Sequence, residues 1–313
     1  MTALVTGGAG FIGSNLVDGL LARGERVVIV DDLSTGRREN LDGALAAGAA
    51  LHELDVTDAP ALRALMEAER PEIVFHLAAQ IDVRRSVEDP VADARINVEG
   101  TINVLAAAHA AGARRVVYSA TGGAVYGEAE QVPTPEQAPE RPLAPYGQSK
   151  LTGEGYCALF ARLYGLSTIA LRYANVYGPR QDPLGEGGVI AIFCGCLAEA
   201  RTPTIFGDGE QTRDFVYVGD VVEANLTAAD AELTGSYNVG TGVETSVLEL
   251  AATLDGLGLG APLAPQHADE RAGEVRRSCL DATRLRDALG WMPRTSLADG
   301  LRRTLDHVAA GAR

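Results

Sequence analysis

Residues 3–16 read ALVTGGAGFIGSNL: a short apolar stretch of strand-forming residues runs into a glycine cluster and then into a helical pattern. Gly8-Ala9-Gly10-Phe11-Ile12-Gly13 spells G-x-G-x-x-G, and the spelling carries meaning because a strand precedes it and a helix follows. The early glycines permit a tight turn and the close approach of a pyrophosphate, and Gly13 lets helix and strand pack. The helix start offers unbonded N–H groups and the positive end of a dipole. A glycine-rich turn that binds nothing is the competing reading. Asp31 decides between them: it stands eighteen residues beyond Gly13, after the apolar run VVIV at 27–30, where a carboxylate can accept bonds from an adenosine ribose diol. The same carboxylate repels a 2′-phosphate, so NAD is expected rather than NADP, with Arg37 and Arg38 as the only nearby counterweight. Asp55-Val56 follows another apolar run and can cover the adenine or simply end a strand.

Working outward, short β-branched runs keep alternating with helical patterns, the mark of βαβ units and a parallel sheet. Strands are expected at 3–6, 27–30, 71–78, 114–119 and 167–172, and helices over 91–111 and 146–164. Asp58 and Pro60 mark a helix start before Leu62, Leu65 and Met66. Residues 128–145 hold five prolines and read as loops on the ligand side of the sheet. Past about 175 the alternation becomes irregular. The fold class is therefore α/β: a Rossmann-type doubly wound parallel sheet over 1–175, to which some later segments return, and a smaller mixed α/β substrate lobe over 176–313. A cleft between the two is the expected substrate site.

Composition limits what such a chain can meet. Its 313 residues carry 42 acidic against 27 basic side chains, net −15, a field that repels phosphate backbones and anionic lipid. Neither nucleic acid nor membrane is expected as a partner, and an anionic ligand needs a few well-placed arginines. Four irregularly spaced cysteines give no disulfide framework, no metal is expected, and the C-x-C of Cys194 and Cys196 reads as helix packing. The first residues carry no targeting signal, so a cytoplasmic location is expected.

Tyr146-Gly147-Gln148-Ser149-Lys150 sets a phenol and an ammonium one helical turn apart on one face. A phenol of ordinary pKa is a poor base at neutral pH, and lowering it by about three units takes roughly 4 kcal/mol of preference for the phenolate. Lys150 and an oxidised nicotinamide are the expected sources. A surface Tyr and Lys on an amphipathic helix is the bland alternative, which the preceding dinucleotide-binding half outweighs.

With these segments quoted, the sequence resembles the extended short-chain dehydrogenase/reductases that act on nucleotide sugars, most of all the UDP-glucose/UDP-galactose 4-epimerases. TGGAGFIGSNL at 6–16, FHLAAQ at 75–80, NVEGT at 97–101, YSATGGAVYG at 118–127, YGQSK at 146–150, LRYANVYGPRQ at 171–181, RDFVYVGD at 213–220 and LGWMP at 289–293 carry the resemblance across nearly the whole chain. It implies a 4-epimerase in which Tyr146 and Lys150 work with a hydroxyl from the end of a strand, Thr121 first and Ser119 in reserve. It further implies a cofactor surface of Gly7, Gly10, Phe11, Ile12, Gly13, Asp31, Asp32, Asp55, Val56, Leu77, Ala78, Ala79 and Tyr173, together with Tyr146 and Lys150. Related dehydratases carry Asp-Glu before V-Y-G and decarboxylases a Glu, whereas Gly123 and Ala124 stand here, so the 4-keto sugar has no fate but reduction.

On the substrate side the resemblance implies Arg213 and Arg271 on the UDP pyrophosphate, Asn175 on a phosphate or sugar hydroxyl, and Asn97 beneath the site rather than on substrate. Counting onward from Arg271 reaches Ser278 and Cys279 where relatives place a bulky tyrosine, which implies tolerance of an N-acetyl group. Arg180, Arg276 and Arg277 could meet a C6 carboxylate, so UDP-glucuronate and UDP-N-acetylglucosamine stand as alternative substrates. A non-catalytic NAD-sensing regulator would be expected to lack the Tyr/Lys pair. Alanine-rich helices at 91–111 and 146–164 resemble the family's four-helix seam and imply a homodimer.

Overall fold

The computed structural model describes residues 1–183, 188–258, 263–270 and 275–311. Among them, seven strands form one sheet: Thr2–Thr6 (β1), Arg26–Asp31 (β2), Ala50–Glu53 (β3), Ile73–His76 (β4), Arg115–Thr121 (β5), Ser167–Tyr173 (β6) and Gly235–Val239. Their order across the sheet is 235–239, β6, β5, β4, β1, β2, β3. β1 runs parallel to both β2 and β4, β2 to β3, and β4 to β5. The chain therefore winds one way from β1 through β3 and the other way from β4 onward. The carboxyl ends of β1 and β4 part at that reversal, where sheets of this kind bind ligands. This is the Rossmann-type sheet expected from the alternation of elements.

β1, β2, β4 and β5 are almost wholly buried along their lengths, which explains runs such as VVIV and RVVYSA. Leu4, Val28, Val30, Val74 and Val116 share one core with Leu62, Met66, Val104 and Leu105 from the covering helices. Asp58 accepts a bond from the Ala61 N–H at 3.1 Å with Pro60 in the first turn, the start expected for the Ala59–Glu69 helix. Each buried aliphatic side chain is worth about 1.5–3 kcal/mol. An exposed ion pair is worth about 0–1 kcal/mol, so burial sets where the site residues stand. Buried Arg172 and Glu154 add a third kind of tie, with guanidinium-to-carboxylate bonds of 2.7 to 3.1 Å joining β6 to the Pro145–Tyr164 helix.

One expectation needs correction. The helix expected over 91–111 is broken: Pro90–Ala94 is α-helical, Arg95–Glu99 forms a π turn, and Gly100–Ala110 is α-helical again. The cause is Asn97, whose amide bonds both the N–H and the C=O of Gln80 and so draws its turn out of register. The first unit comprises Met1–Val125, Pro142–Arg172 and Val222–Tyr237, and the second comprises Tyr126–Arg141, Tyr173–Val221 and Asn238–Arg313. The sheet takes its last edge strand from Gly235–Val239, a later segment that returns to it.

The second unit is mixed α/β. Asn175–Tyr177 pairs with Phe215–Tyr217 in parallel, and Thr212–Arg213 lies between Thr245–Ser246 and Arg277–Ser278. Its core gathers Ile190, Phe193, Cys194, Ile205, Phe215, Leu250 and Leu301. Cys194 thus packs as a small apolar residue, and no group of three or more His, Cys, Asp or Glu that could hold a metal occurs among the described residues. No described helix is long and apolar enough to cross a membrane.

Candidate active site

The glycine turn leaves β1 and folds back over the end of β4. Gly7 has φ +69°, and a Cβ there would stand 2.6 Å from the Ala78 nitrogen. A Cβ on Gly13 would stand 2.0 Å from the Gly7 carbonyl oxygen, so neither position admits a side chain. The demanding glycines are thus Gly7 and Gly13, with Gly10 between them as helix N-cap; Gly8, read from the motif as the turning residue, instead faces the Ile29 side chain. Gly10 is extended and contributes no capping side chain, so the first N–H groups of the helix Phe11–Ala22 stay available to an anion.

Asp31 clasps this turn. Its carboxylate accepts the Ala9 N–H at 2.8 Å and the Leu33 N–H at 2.9 Å, and burial pushes its pKa up. A carboxylate has about four acceptor sites, so two remain for a ribose diol. Asp32 is exposed and bonds Ser34, and exposed Asp55 accepts the Thr57 N–H at 2.8 Å. Val56 is buried against Gly100. Leu77 and Ala78 donate their N–H groups to Thr6 at 3.1 and 3.3 Å, and Ala79 is half-buried beside them. The carboxyl ends of β1, β2 and β4 thus gather the residues expected around a dinucleotide. An open helix start, a side-chain-free turn and a carboxylate at the neighbouring strand end fit such a group.

Tyr146 and Lys150 rise from the first turns of the Pro145–Tyr164 helix beside the end of β5. The Tyr146 hydroxyl shares a hydrogen bond with the Thr121 side chain, not with Ser119, whose carbonyl accepts the Lys150 ammonium at 2.9 Å. Burial pushes the Tyr146 phenol up to about 12, the Thr121 bond lowers it, and the charge of Asp93 raises it. Lys150 is 4% exposed, and burial lowers its ammonium to about 8 against the opposing pull of Asp93. Lys150 also lies over the Tyr118 ring at 5.1 Å. Among these groups, the one expected to steady the phenolate does not contribute directly: Lys150 points its charge at β5, and desolvation of Tyr146 wins in the protein alone.

Beneath the pair lies a buried polar network that sequence reasoning missed except for Asn97. Asp93, 1% exposed, accepts Ser149 Oγ at 2.6 Å, Asn97 Nδ2 at 2.9 Å and Gln80 Nε2 at 3.1 Å. Thr101 donates to the Asn97 carbonyl at 2.6 Å, and His76 bridges Thr101 and Thr6 at 3.0 and 2.7 Å. Burial lowers the His76 imidazole to about 3, in keeping with a core role rather than chemistry. Gln80, Asn97 and Ser149 each sit inside a quoted motif, and the four-residue step from Asp93 to Asn97 was the available signal.

In the second unit, Arg213 and Ser278 are register partners on adjacent parallel strands, and Asn175 is the register partner of Phe215. Asp214, buried between them in sequence, accepts Thr241 Oγ1 at 2.5 Å and the Leu280 N–H at 3.2 Å, fixing the segment that carries Arg213. Arg213 donates to the Thr212 carbonyl at 2.8 Å. Arg180 has φ +72°, burial and then the Arg180 charge lower the His307 pKa, and Tyr173 is buried. Arg271 lies outside the described residues. Arg276 and Arg277 are each engaged through two bonds, Arg276 by Asp208 at 2.8 and 2.8 Å and Arg277 by Glu244 at 2.9 and 2.5 Å.

Comparison with known proteins gives concordant results. Residues 3–240 match the NAD dependent epimerase/dehydratase family. A UDP-glucose 4-epimerase of Mycolicibacterium smegmatis is 49% identical over 308 residues, covering 98% of each chain. The structure resembles that of a Thermotoga maritima UDP-glucose 4-epimerase with UDP-glucose, at TM-score 0.95 and 43% identity over 100% of both chains. It also resembles a Thermus thermophilus UDP-glucose 4-epimerase in complex with NAD, at TM-score 0.91 and 42% identity over 98% of this chain and 99% of that one.

Proposed function

Because the chain belongs to the NAD dependent epimerase/dehydratase family, we propose that it is an NAD-dependent 4-epimerase that interconverts UDP-glucose and UDP-galactose through a transient 4-keto sugar. The observation that carries this reading is the Tyr146 hydroxyl, bonded to Thr121 and one helical turn from buried Lys150. When bound, NAD supplies the acceptor and then the donor of the C4 hydrogen. The amides that open the helix at Phe11, Ile12 and Gly13 would hold its pyrophosphate, and Asp31 its ribose. Tyr146 takes the proton of the C4 hydroxyl and later returns it, and Thr121 holds that oxygen in line. Lys150 fixes the helix face through the Ser119 carbonyl and keeps a positive charge near the site below about pH 8. The oxidised cofactor brings a further cation, which would offset the desolvation that holds the phenol at about 12.

Asn175, Arg213 and Ser278 are proposed for the phosphate and sugar side, with Arg271 and Arg180 as further candidates. Bidentate pairing of Arg276 with Asp208 and of Arg277 with Glu244 leaves Arg180 as the remaining candidate of the three for a C6 carboxylate, which weakens the case for UDP-glucuronate. Ser278 leaves no bulky ring at its position, which favours tolerance of UDP-N-acetylglucosamine as a second substrate. The intact Tyr146/Lys150 pair argues against a purely sensing role. Purified protein given UDP-glucose, UDP-galactose, UDP-N-acetylglucosamine and UDP-glucuronate separately should invert C4 of the first two, and of the third more slowly, by proton NMR. Inversion of UDP-glucuronate alone would overturn the assignment.

A homodimer is part of the proposal. Leu163 and Tyr164, at the end of the Pro145–Tyr164 helix, are exposed apolar residues on one of the two helices concerned. Sedimentation equilibrium should give twice the 32.7 kDa chain mass, and a monomer would refute it. Four free, buried cysteines support a cytoplasmic setting.

A further inference from the structure

Asp93 stands on the short Pro90–Ala94 helix, fully out of water, and its carboxylate is met by three neutral donors: Ser149, Asn97 and Gln80. Such a charge is costly to bury, and replacing it by a neutral group of the same shape would cost the packing little. Its bond to Ser149 is short and charge-assisted, and Ser149 is the residue between the Tyr146 turn and Lys150. Asn97, four residues on and within the π turn at Arg95–Glu99, places its amide on the same carboxylate, and such turns gather at functional sites. The charged and titratable groups facing it are Tyr146 and Lys150 on the Pro145–Tyr164 helix, and its charge acts on both. Glu154 and Cys157, further along that helix, act on Lys150 in the same sense, but Glu154 is already paired with Arg172.

We propose that Asp93 is a positioning residue for the Tyr146/Lys150 pair: it pins their helix turn through Ser149 and holds a buried carboxylate against that turn. That charge has two opposing effects. Asp93 keeps Lys150 cationic to higher pH, and it makes the Tyr146 phenolate harder to form. Removing the charge should therefore displace both limbs of a pH profile in the same direction, toward acid.

The kinetic arm rests on the epimerase reading; a second readout does not. In the NAD-loaded protein, the tyrosinate ultraviolet absorbance that Tyr146→Phe removes reports the ionisation of Tyr146 itself. Asp93→Asn should move that ionisation, and both limbs of kcat/KM, about one unit toward acid, a tenfold change in proton affinity. Asp93→Glu should restore the wild-type positions. Ser149→Ala keeps the charge, so it should lower kcat and leave the limbs in place. If Asp93→Asn does not fold, Asp93→Ser replaces it, with the same shift expected. Limbs unmoved in the neutral variant, or moved as far in Ser149→Ala, overturn the proposal. An inactive wild type whose Tyr146 absorbance still shifts in the variant refutes the epimerase reading and leaves Asp93 in its role. An active wild type with an unmoved titration refutes Asp93 alone.

Discussion

Tyr146→Phe should lower the rate of C4 inversion by about 10²–10⁴-fold, the range for loss of a positioned acid or base, while the protein retains its NAD. The substitution removes one oxygen and leaves the ring. Tyr146 is half-buried and its hydroxyl is bonded to the Thr121 side chain, so the structural loss is confined to that bond. A neutral hydrogen bond is worth about 0.5–1.5 kcal/mol, too little to unfold the chain. Thr121→Ala should be milder, because Tyr146 keeps its proton-carrying atom and loses only its orienting partner. The checks are turnover by NMR and NAD released on denaturation. A Tyr146→Phe protein that turns over within threefold of wild type would remove Tyr146 from the mechanism.

The second large effect is expected at Gly13. A methyl group there would lie 2.0 Å from the Gly7 carbonyl oxygen and 2.8 Å from the Gly8 Cα, contacts with backbone that no rotamer change relieves. Gly7 cannot give way freely: its N–H donates to the Val30 carbonyl at 2.8 Å and its bare face lies on Leu77 and Ala78. The turn and the first amides of the helix must therefore move together. Overpacking of this kind costs about 1–3 kcal/mol. Gly13→Ala should lower the melting temperature and reduce retained NAD at least tenfold. Gly43→Ala, where nothing lies within 4 Å of the added carbon, serves as the control and should lower neither. Wild-type NAD retention in Gly13→Ala would show that the turn does not seat the cofactor.

Much of the fold could be read from local patterns because parallel strands buried on both faces leave unbroken apolar runs, and a helix between them carries the cap Asp58. That later segments return to the sheet was expected, but not that Gly235–Val239 is its edge strand, because that membership depends on contacts far along the chain. The π turn at Arg95–Glu99 was missed for a related reason: it follows from side-chain bonds between Asn97 and Gln80, seventeen residues apart, and no periodicity reports such a bond. At the site, Tyr146, Lys150 and Asp31 could be recognised from spacing on one helix or at one strand end. The bond between Tyr146 and Thr121 needed coordinates, because Ser119 and Thr121 stand two residues apart on one face of β5 and strand alternation does not separate them. Asp93 offered only its four-residue step to Asn97; an aspartate in a short helix usually lies on a solvated face, and its burial appears only once Ser149 is folded over it. The phenol's upward shift was likewise not foreseen, since desolvation depends on how the surrounding elements close.

The account rests on a C4 hydrogen that leaves the sugar and returns to its other face without ever leaving the protein. UDP-glucose deuterated at C4, incubated in ordinary water with no added NAD, tests this most directly. The UDP-galactose formed should carry the full deuterium label at C4. Label lost to solvent, or turnover that stops until NAD is supplied and then releases the label into the added pool, would contradict it.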